Sequence, residues 1–555
     1  MNLREKFFRT LAPLYDEVAS VQQASGCFRT EPMKYTIYGQ YAGIYFAYLY
    51  TLDHPDNRYF HDAGMLRRAV SGWDYYATQI SKEGKARIVT YDQFWYDGVD
   101  EWGCYYWMNT LELLKVHLDS QTVELWNQCI DRIASRLAQN IEQAVAEPKY
   151  LAELSKGCAD NHAIWALLCL YRYAMLRNDE SLRASSRNHL EKVLEHQLPS
   201  GTWMEGGTLV VGYGEVTICA ISLFELYDDN VRARNAVRKN LDYRLQTLYP
   251  NFRGNDCLEG RTNYSKGIVP YTALTFNRYP EGRDYLARWI DYVKNQQPAG
   301  KRLHEALQGL AVLSDLATLL PETEEPEDVT IPSVPSVTLW PEIKSRIVRQ
   351  EGWIVTMCCL EPPFRPNRWI LERQNLVSVF HEESGLIVGG GHSIAQPEFS
   401  TFNLISNGTL HYLHHDGELT PDGMKLRYGD RCCQVEARIV GGSVHLRYRA
   451  ENLAETERVR VNVPLWTDEA GSASIGGKKF SFGAGAFSAD LAPGDILAWT
   501  AVRMTATARA QLRYPFSPFN PYHKGGTPNE FSNRQAILTL ELTSDSSDCE
   551  IVIQR

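Results

Sequence analysis

The sequence predicts a multidomain α+β chain: an (α/α) toroid over residues 1–320, a Pro/Glu-rich linker over 321–344 and an antiparallel β-sandwich over 345–555. Three observations carry this expectation. Apolar residues recur at helical spacing through the first 320 residues. The segment from Leu320 to Pro341 then gathers five prolines and a cluster of acids, which no helix can continue through. Beyond it come short β-branched and aromatic runs broken by Gly, Asn and Asp.

The helical patterns run approximately over 3–22, 38–54, 58–81, 101–117, 120–146, 160–178, 180–197, 212–228, 230–247, 267–278, 281–296 and 302–319. Ile164, Leu167, Leu168 and Tyr171 illustrate the i, i+3, i+4, i+7 stripe that marks one buried helix face. Antiparallel helix pairs with short links predict a toroid of helical hairpins. In the carboxy-terminal half the predicted strands include Trp353–Met357, Val377–Phe380, Gln434–Ile439, Val444–Tyr448, Val459–Val463 and Ala536–Leu542.

A net charge of −10 excludes a general nucleic-acid binder or an anionic-membrane binder, since both need a basic footprint. It leaves room for an acidic sugar, because a few local cations can outweigh a mildly negative exterior. Tyr is the most abundant aromatic, with clusters such as Trp95-Tyr96 and Tyr105-Tyr106-Trp107. Amphipathic rings suit pyranose faces, although most rings in a large helical protein are core. The adjacent pairs Cys358-Cys359 and Cys432-Cys433 point to opposite strand faces and make poor disulfides. No CxxC is present, and no bound metal or cofactor is expected. Residues Met1 to Asp16 read as an amphipathic helix rather than a signal peptide, and no stretch approaches a membrane span, so a reducing cytoplasm is the expected compartment.

Four polar and aromatic segments fall at helix starts or loops, where toroids place their concave sites: Tyr91–Tyr106, Gly157–His162, Gly201–Glu215 and Asn255–Lys266. Asp160 and Asn161 alone would serve as a helix cap. The pair Asn161-His162 gains meaning from Tyr213, which lies 51 residues beyond His162 in a Gly-rich stretch after Glu205. In that order and spacing the chain resembles the heparinase II/III-like lyases and their alginate-lyase relatives. A second likeness lies in Arg349-Gln350-Glu351-Gly352-Trp353 and the segment leading to Gly389-Gly390-Gly391-His392. Where many relatives carry His-x-His-x-Asp, this sequence has Glu372-Arg373-Gln374-Asn375, which removes the expected metal ligands.

The resemblance implies β-elimination at a uronic acid within an acidic oligosaccharide or polysaccharide. It assigns Tyr213 as base, acid or both, with His162 as second participant and His392 as third. Asn161 and Arg261 would neutralise the substrate carboxylate. Tyr264, Glu205, Trp203, Trp95, Tyr96, Glu101, Arg373 and Gln374 complete the expected sugar-binding set. Two other readings stand beside it. A glycoside hydrolase on the same scaffold would draw two carboxylates from Asp97, Asp100, Glu101, Asp160, Glu205 and Glu215. A carbohydrate-binding protein would use the same loops without reacting.

Overall fold

The computed structural model describes residues 3–29, 36–89, 95–261, 270–295, 307–320, 334–361, 369, 372, 377–390, 394–467, 472–482, 485–519, 521 and 535–555. They form two compact units, a helical one (Met1–Glu205, Tyr213–Asp242, Val269–Pro332) and a strand-rich one (Gly206–Gly212, Tyr243–Ile268, Ser333–Arg555).

The helical unit begins with α1 (Leu3–Leu11) and α2 (Tyr15–Val21), separated by a 3₁₀ turn at Ala12–Leu14. Pro13 splits the single helix expected over 3–22, because its ring denies the backbone an amide. Next come α3 (Gly43–Thr51), α4 (Ala63–Thr78), α5 (Glu101–Leu114), α6 (Ser120–Ala146) and α7 (Pro148–Leu154). The series continues with α8 (Asn161–Arg177), α9 (Glu180–Glu195), α10 (Val211–Asp228), α11 (Val231–Thr247), α12 (Pro280–Asn295) and α13 (Leu307–Leu319). The pattern read as a helix over 267–278 yields only a 3₁₀ turn, Leu274–Arg278, among its described residues. A short hairpin, Ala86–Val89 with Trp95–Gly98, stands in the otherwise helical half because Ala86 and Ile88 alternate inward.

Two classes of helix build the ring. α3, α5, α8, α10 and α13 are apolar and buried nearly all round, which places them inside. α4, α6 and α9 carry one buried stripe and one solvated face, which places them outside. α3 packs on α4, α8 on α9 and α5 on α8, while α1 packs against both α12 and α13 and closes the ring. Trp73 and Trp107 stack inside it with centroids 5.5 Å apart.

Aspartate caps start the helices. Asp62, Asp100, Asp119, Asp160 and Asp179 each accept a backbone N–H of the first turn, ahead of α4, α5, α6, α8 and α9. Asp100 does more: it also accepts the hydroxyls of Tyr41 and Tyr76, each at 2.6 Å. Burial outweighs these bonds and raises its pKa to about 6. Gly103 leaves room for this knot, since a Cβ there would meet the Tyr76 hydroxyl at 2.1 Å.

The strand-rich unit is a sandwich of a nine-stranded and an eleven-stranded antiparallel sheet. The first runs from Asp416–Leu419 to Lys478–Ser481 at its edges, the second from Phe487–Leu491 to Val337–Trp340. Alternation obeys the pleat: Val444, Leu446, Tyr448 and Ala450 point inward, while His445, Arg447 and Arg449 point outward. Val355, Met424, Val435, Val461 and Leu540 meet them in one core. All six predicted runs fall inside strands. The strand Val337–Trp340 lies within the segment expected to be linker, because Thr338 and Trp340 alternate inward and pair with Ser345–Gln350.

Removing the Asp100 knot tests this account of the helical unit. Asp100→Ala leaves two buried phenols and one amide without their acceptor, so a loss of about 2–4 kcal/mol is expected. Urea unfolding monitored by helical circular dichroism measures it. A shift no larger than for an exposed cap such as Asp179→Ala would contradict the linking role.

Candidate functional site

In the helical unit the site is built from helix starts. A parallel bridge joins Cys158 to Met204, and the Ala159 amide donates to the Met204 carbonyl at 2.9 Å. This sets Glu205 beside Asp160 and Asn161. Asn161 donates Nδ2 to Glu205 Oε1 at 3.0 Å and its backbone amide to Glu205 Oε2 at 3.3 Å. Its own Oδ1 is buried and accepts nothing among the described residues.

His162 occupies the second helical position. Its Nδ1 lies 2.6 Å from Glu101 Oε1, the first residue of α5, and its ring meets Trp102 edge-on at 4.7 Å. About half of the side chain, 52%, stays open, whereas Glu101 is buried. Desolvation works against protonation of this imidazole. The charges of Glu101, Asp160 and Glu205 and the Glu101 hydrogen bond overcome it, raising the pKa to about 9. At neutral pH His162 is therefore a cation with Nδ1 committed and Nε2–H left for a ligand.

Tyr213 is the third residue of α10 and half-buried. The Trp165 indole donates to the Val216 carbonyl at 2.9 Å, so α8 and α10 meet about one turn in from Asn161-His162 and from Tyr213. Glu215 is buried and accepts from the Tyr285 hydroxyl at 3.1 Å. Tyr96 remains 40% exposed, and burial together with Glu101 and Asp100 raises its pKa to about 12.

Two expected sugar contacts have other work. Trp203 is core: its indole is buried and donates to the Val193 carbonyl at 3.0 Å, which leaves no ring face for a pyranose. Glu101 is committed to His162 and acts through it. The side chain of Trp95, together with Tyr264, Arg373, Gln374 and His392, lies outside the described residues. The three histidines of the segment His411–His415 do not converge as metal ligands would: His414 is buried with Nε2 3.2 Å from the Cys359 carbonyl, and His411 and His415 are exposed.

Arg261 belongs to the strand-rich unit. It is buried, with Nε donating to the Trp369 carbonyl at 2.7 Å and its amide to Glu259 at 3.0 Å. Glu259 also accepts the amide of Gly212, at 3.3 Å, one residue before Tyr213 in the chain. This buried carboxylate thus holds both Arg261 and the approach to Tyr213. It was legible only as one acid in a polar segment, with nothing to separate it from a solvated one.

No family model matches the sequence, and no curated protein sequence matches it. Solved structures do. The chondroitin AC lyase of Streptomyces coelicolor A3, in complex with chondroitin sulphate, superposes with a TM-score of 0.54 at 11% identity, covering 99% of this chain and 79% of that one. A chondroitinase AC lyase studied with oligosaccharides gives 0.51 at 10% identity, over 99% and 82% of the two chains. At such identities the likeness is one of fold: a helical toroid with a β domain.

The His162–Glu101 pair makes a pH-dependent prediction. A histidine pKa raised above 6.5 contributes stability that is fully present below 6.5 and lost as pH rises through about 9. Glu101→Gln should therefore destabilise the protein near pH 6 and much less above pH 9. It should also return the His162 ring resonance, assigned through His162→Asn, to an ordinary midpoint. An unchanged midpoint would sink the assignment.

Proposed function

We propose that this protein is a carbon–oxygen lyase that cleaves a uronate-containing oligosaccharide or polysaccharide by β-elimination. The observation that carries this reading is the contact of His162 Nδ1 with the buried Glu101 carboxylate, which leaves the ring open at a helix start beside Asn161 and close to the start of the Tyr213 helix. The toroid-plus-sandwich fold, which it has in common with chondroitin AC lyases, supports the same class.

The chemistry needs three services. A uronate C5 proton is weakly acidic because its removal pushes charge into an already anionic carboxylate. A fixed cation at that carboxylate lowers the cost, and His162 Nε2–H offers one, with Arg261 as a second candidate. Tyr213 takes the C5 proton and returns a proton to the departing O4, so that C4–O4 breaks, C4=C5 forms and no water is added. Asn161 contributes differently from a simple carboxylate donor. Its Nδ2 is engaged by Glu205, so its part is to hold the first turn of α8 and, through it, His162 in place. A heparinase II/III-like specificity is the finer form of this reading and rests on Asn161-His162 and the spacing to Tyr213. A cytoplasmic enzyme acting on imported oligosaccharides fits the reading; among the described residues no helix is long and apolar enough to cross a membrane.

One observation favours a second reading. Glu101, Asp160 and Glu205 all act on one imidazole, and such a group of carboxylates also suits a hydrolase. Products decide between them: a lyase gives an ultraviolet-absorbing unsaturated uronate, whereas a hydrolase adds the mass of water.

On a panel of uronate oligosaccharides, Tyr213→Phe and His162→Ala are each expected to lower turnover by about 10²–10⁴-fold with circular dichroism unchanged. Because His162 must be protonated, kcat/KM should fall as pH rises through about 9, and Glu101→Gln should move that limb to lower pH. Full turnover in both single variants would refute the site.

A further inference from the structure

Away from the site, the turn after α4 and the middle of α6 enclose a groove of about 420 Å³ lined by Lys82, Glu83, Asp131, Arg132, Arg136 and Gln139, among others. Its walls are locked together. The turn is closed by the Ser81 amide on the Lys85 carbonyl at 2.8 Å. Gly84, at φ +73°, presses so closely on α6 that a Cβ would stand 2.2 Å from the Arg132 carbonyl oxygen.

Three basic side chains line it. Several guanidinium groups elsewhere in the helical unit are paired with carboxylates: Arg172 with Glu112, Arg187 with Asp228, Arg234 with Glu225, Arg238 with Glu281. Among the described residues, Lys82, Arg132 and Arg136 form no ion pair with a carboxylate, although the chain carries a net charge of −10; Arg132 donates Nε to the Gln128 carbonyl at 3.2 Å and its fork to Cys129 Sγ at 2.9 Å. The two acids present compensate them only in part, Glu83 through its charge interaction with Lys82. Asp131 is taken by Arg177 at 2.7 Å and by the Tyr173 hydroxyl at 2.9 Å. Glu83 is exposed and turned onto its own amide and the Ser81 hydroxyl. Among the described residues, Arg136 Nε is buried without an acceptor, and the fork otherwise reaches only Gln139, at 3.4 Å. A guanidinium left this way is costly, and an oxyanion received on its exposed fork offsets the cost.

We infer that this groove is a binding site for an oxyanion, the carboxylate or sulfate of an acidic saccharide, held by Arg136, Arg132 and Lys82. Its volume suits one or two sugar rings. Its position suits a subsite for a longer chain: Ala86, next to the turn, pairs with Gly98, three residues before Glu101. The inference stands whether the chemistry at His162 is elimination, hydrolysis or binding alone.

Arginine Nε–H resonances of the full chain test it, with that of Arg136 assigned by its loss in Arg136→Lys. Glucuronate, inorganic sulfate and uncharged glucose are titrated separately at fixed ionic strength. The expected result is a saturable shift of the Arg136 signal with glucuronate, none with glucose, and about tenfold weaker binding in Lys82→Ala. Turnover of short substrates should be unchanged in Lys82→Ala and Arg136→Gln. A response to sulfate but not glucuronate would overturn the saccharide assignment in favour of a free-anion site. No response to either would overturn the site itself.

Discussion

A buried carboxylate at the threshold of α5 orders the helical unit around it. Asp100 caps that helix and at the same time takes the hydroxyls of Tyr41 and Tyr76, so one side chain joins three elements. Asp160 plays the simpler capping part for α8. A cap fixes the position and direction of the first helical turn, and Glu101 and Asn161-His162 stand immediately after these two caps. The candidate site is therefore a by-product of how the helices start, with its side chains on rigid first turns.

Electrostatics then turn that geometry into chemistry. The start of a helix carries partial positive charge, so a protonated histidine at the second position of α8 is out of place by the helix dipole alone. Glu101, Asp160 and Glu205 reverse the balance and hold the proton. The outcome is a fixed cation, ordered through Nδ1, in a protein of net charge −10. Asn161 and Glu205 form the complementary element: a neutral amide whose donor is used internally and whose acceptor meets no partner among the described residues.

The strand-rich unit uses the same device on a segment borrowed from the helical half of the sequence. Asn255 bonds Thr356 at 2.6 Å, and Asp256 accepts the Tyr249 hydroxyl and the Gly390 amide, both at 3.0 Å. Tyr249 also hydrogen-bonds Ser378 and stacks on Phe380 at 4.4 Å. Gly389 has no Cβ because one would stand 2.3 Å from the Asp256 carboxylate. Each of these buried polar groups meets a partner, which is the condition for burying it at all. Glu259 extends the arrangement to the backbone amides of Arg261 and Gly212.

By itself the sequence determined the class of each half, because helical and strand periodicities are local properties that burial in either unit enforces. It also marked Asn161, His162 and Tyr213 as worth locating, through their order and spacing. Only the tertiary structure decided what those residues touch. Nothing local tells that Glu101 lies under His162, 61 positions later, or that Trp203 turns its indole to a carbonyl in place of a sugar. Nor does composition reveal that residues 243–261 fold with strands, since their hydrogen-bond partners at 356, 378 and 390 are remote in the chain. Charge pairing is a matter of distance in space, and so is the difference between Arg177, which is neutralised, and Arg136, which is not.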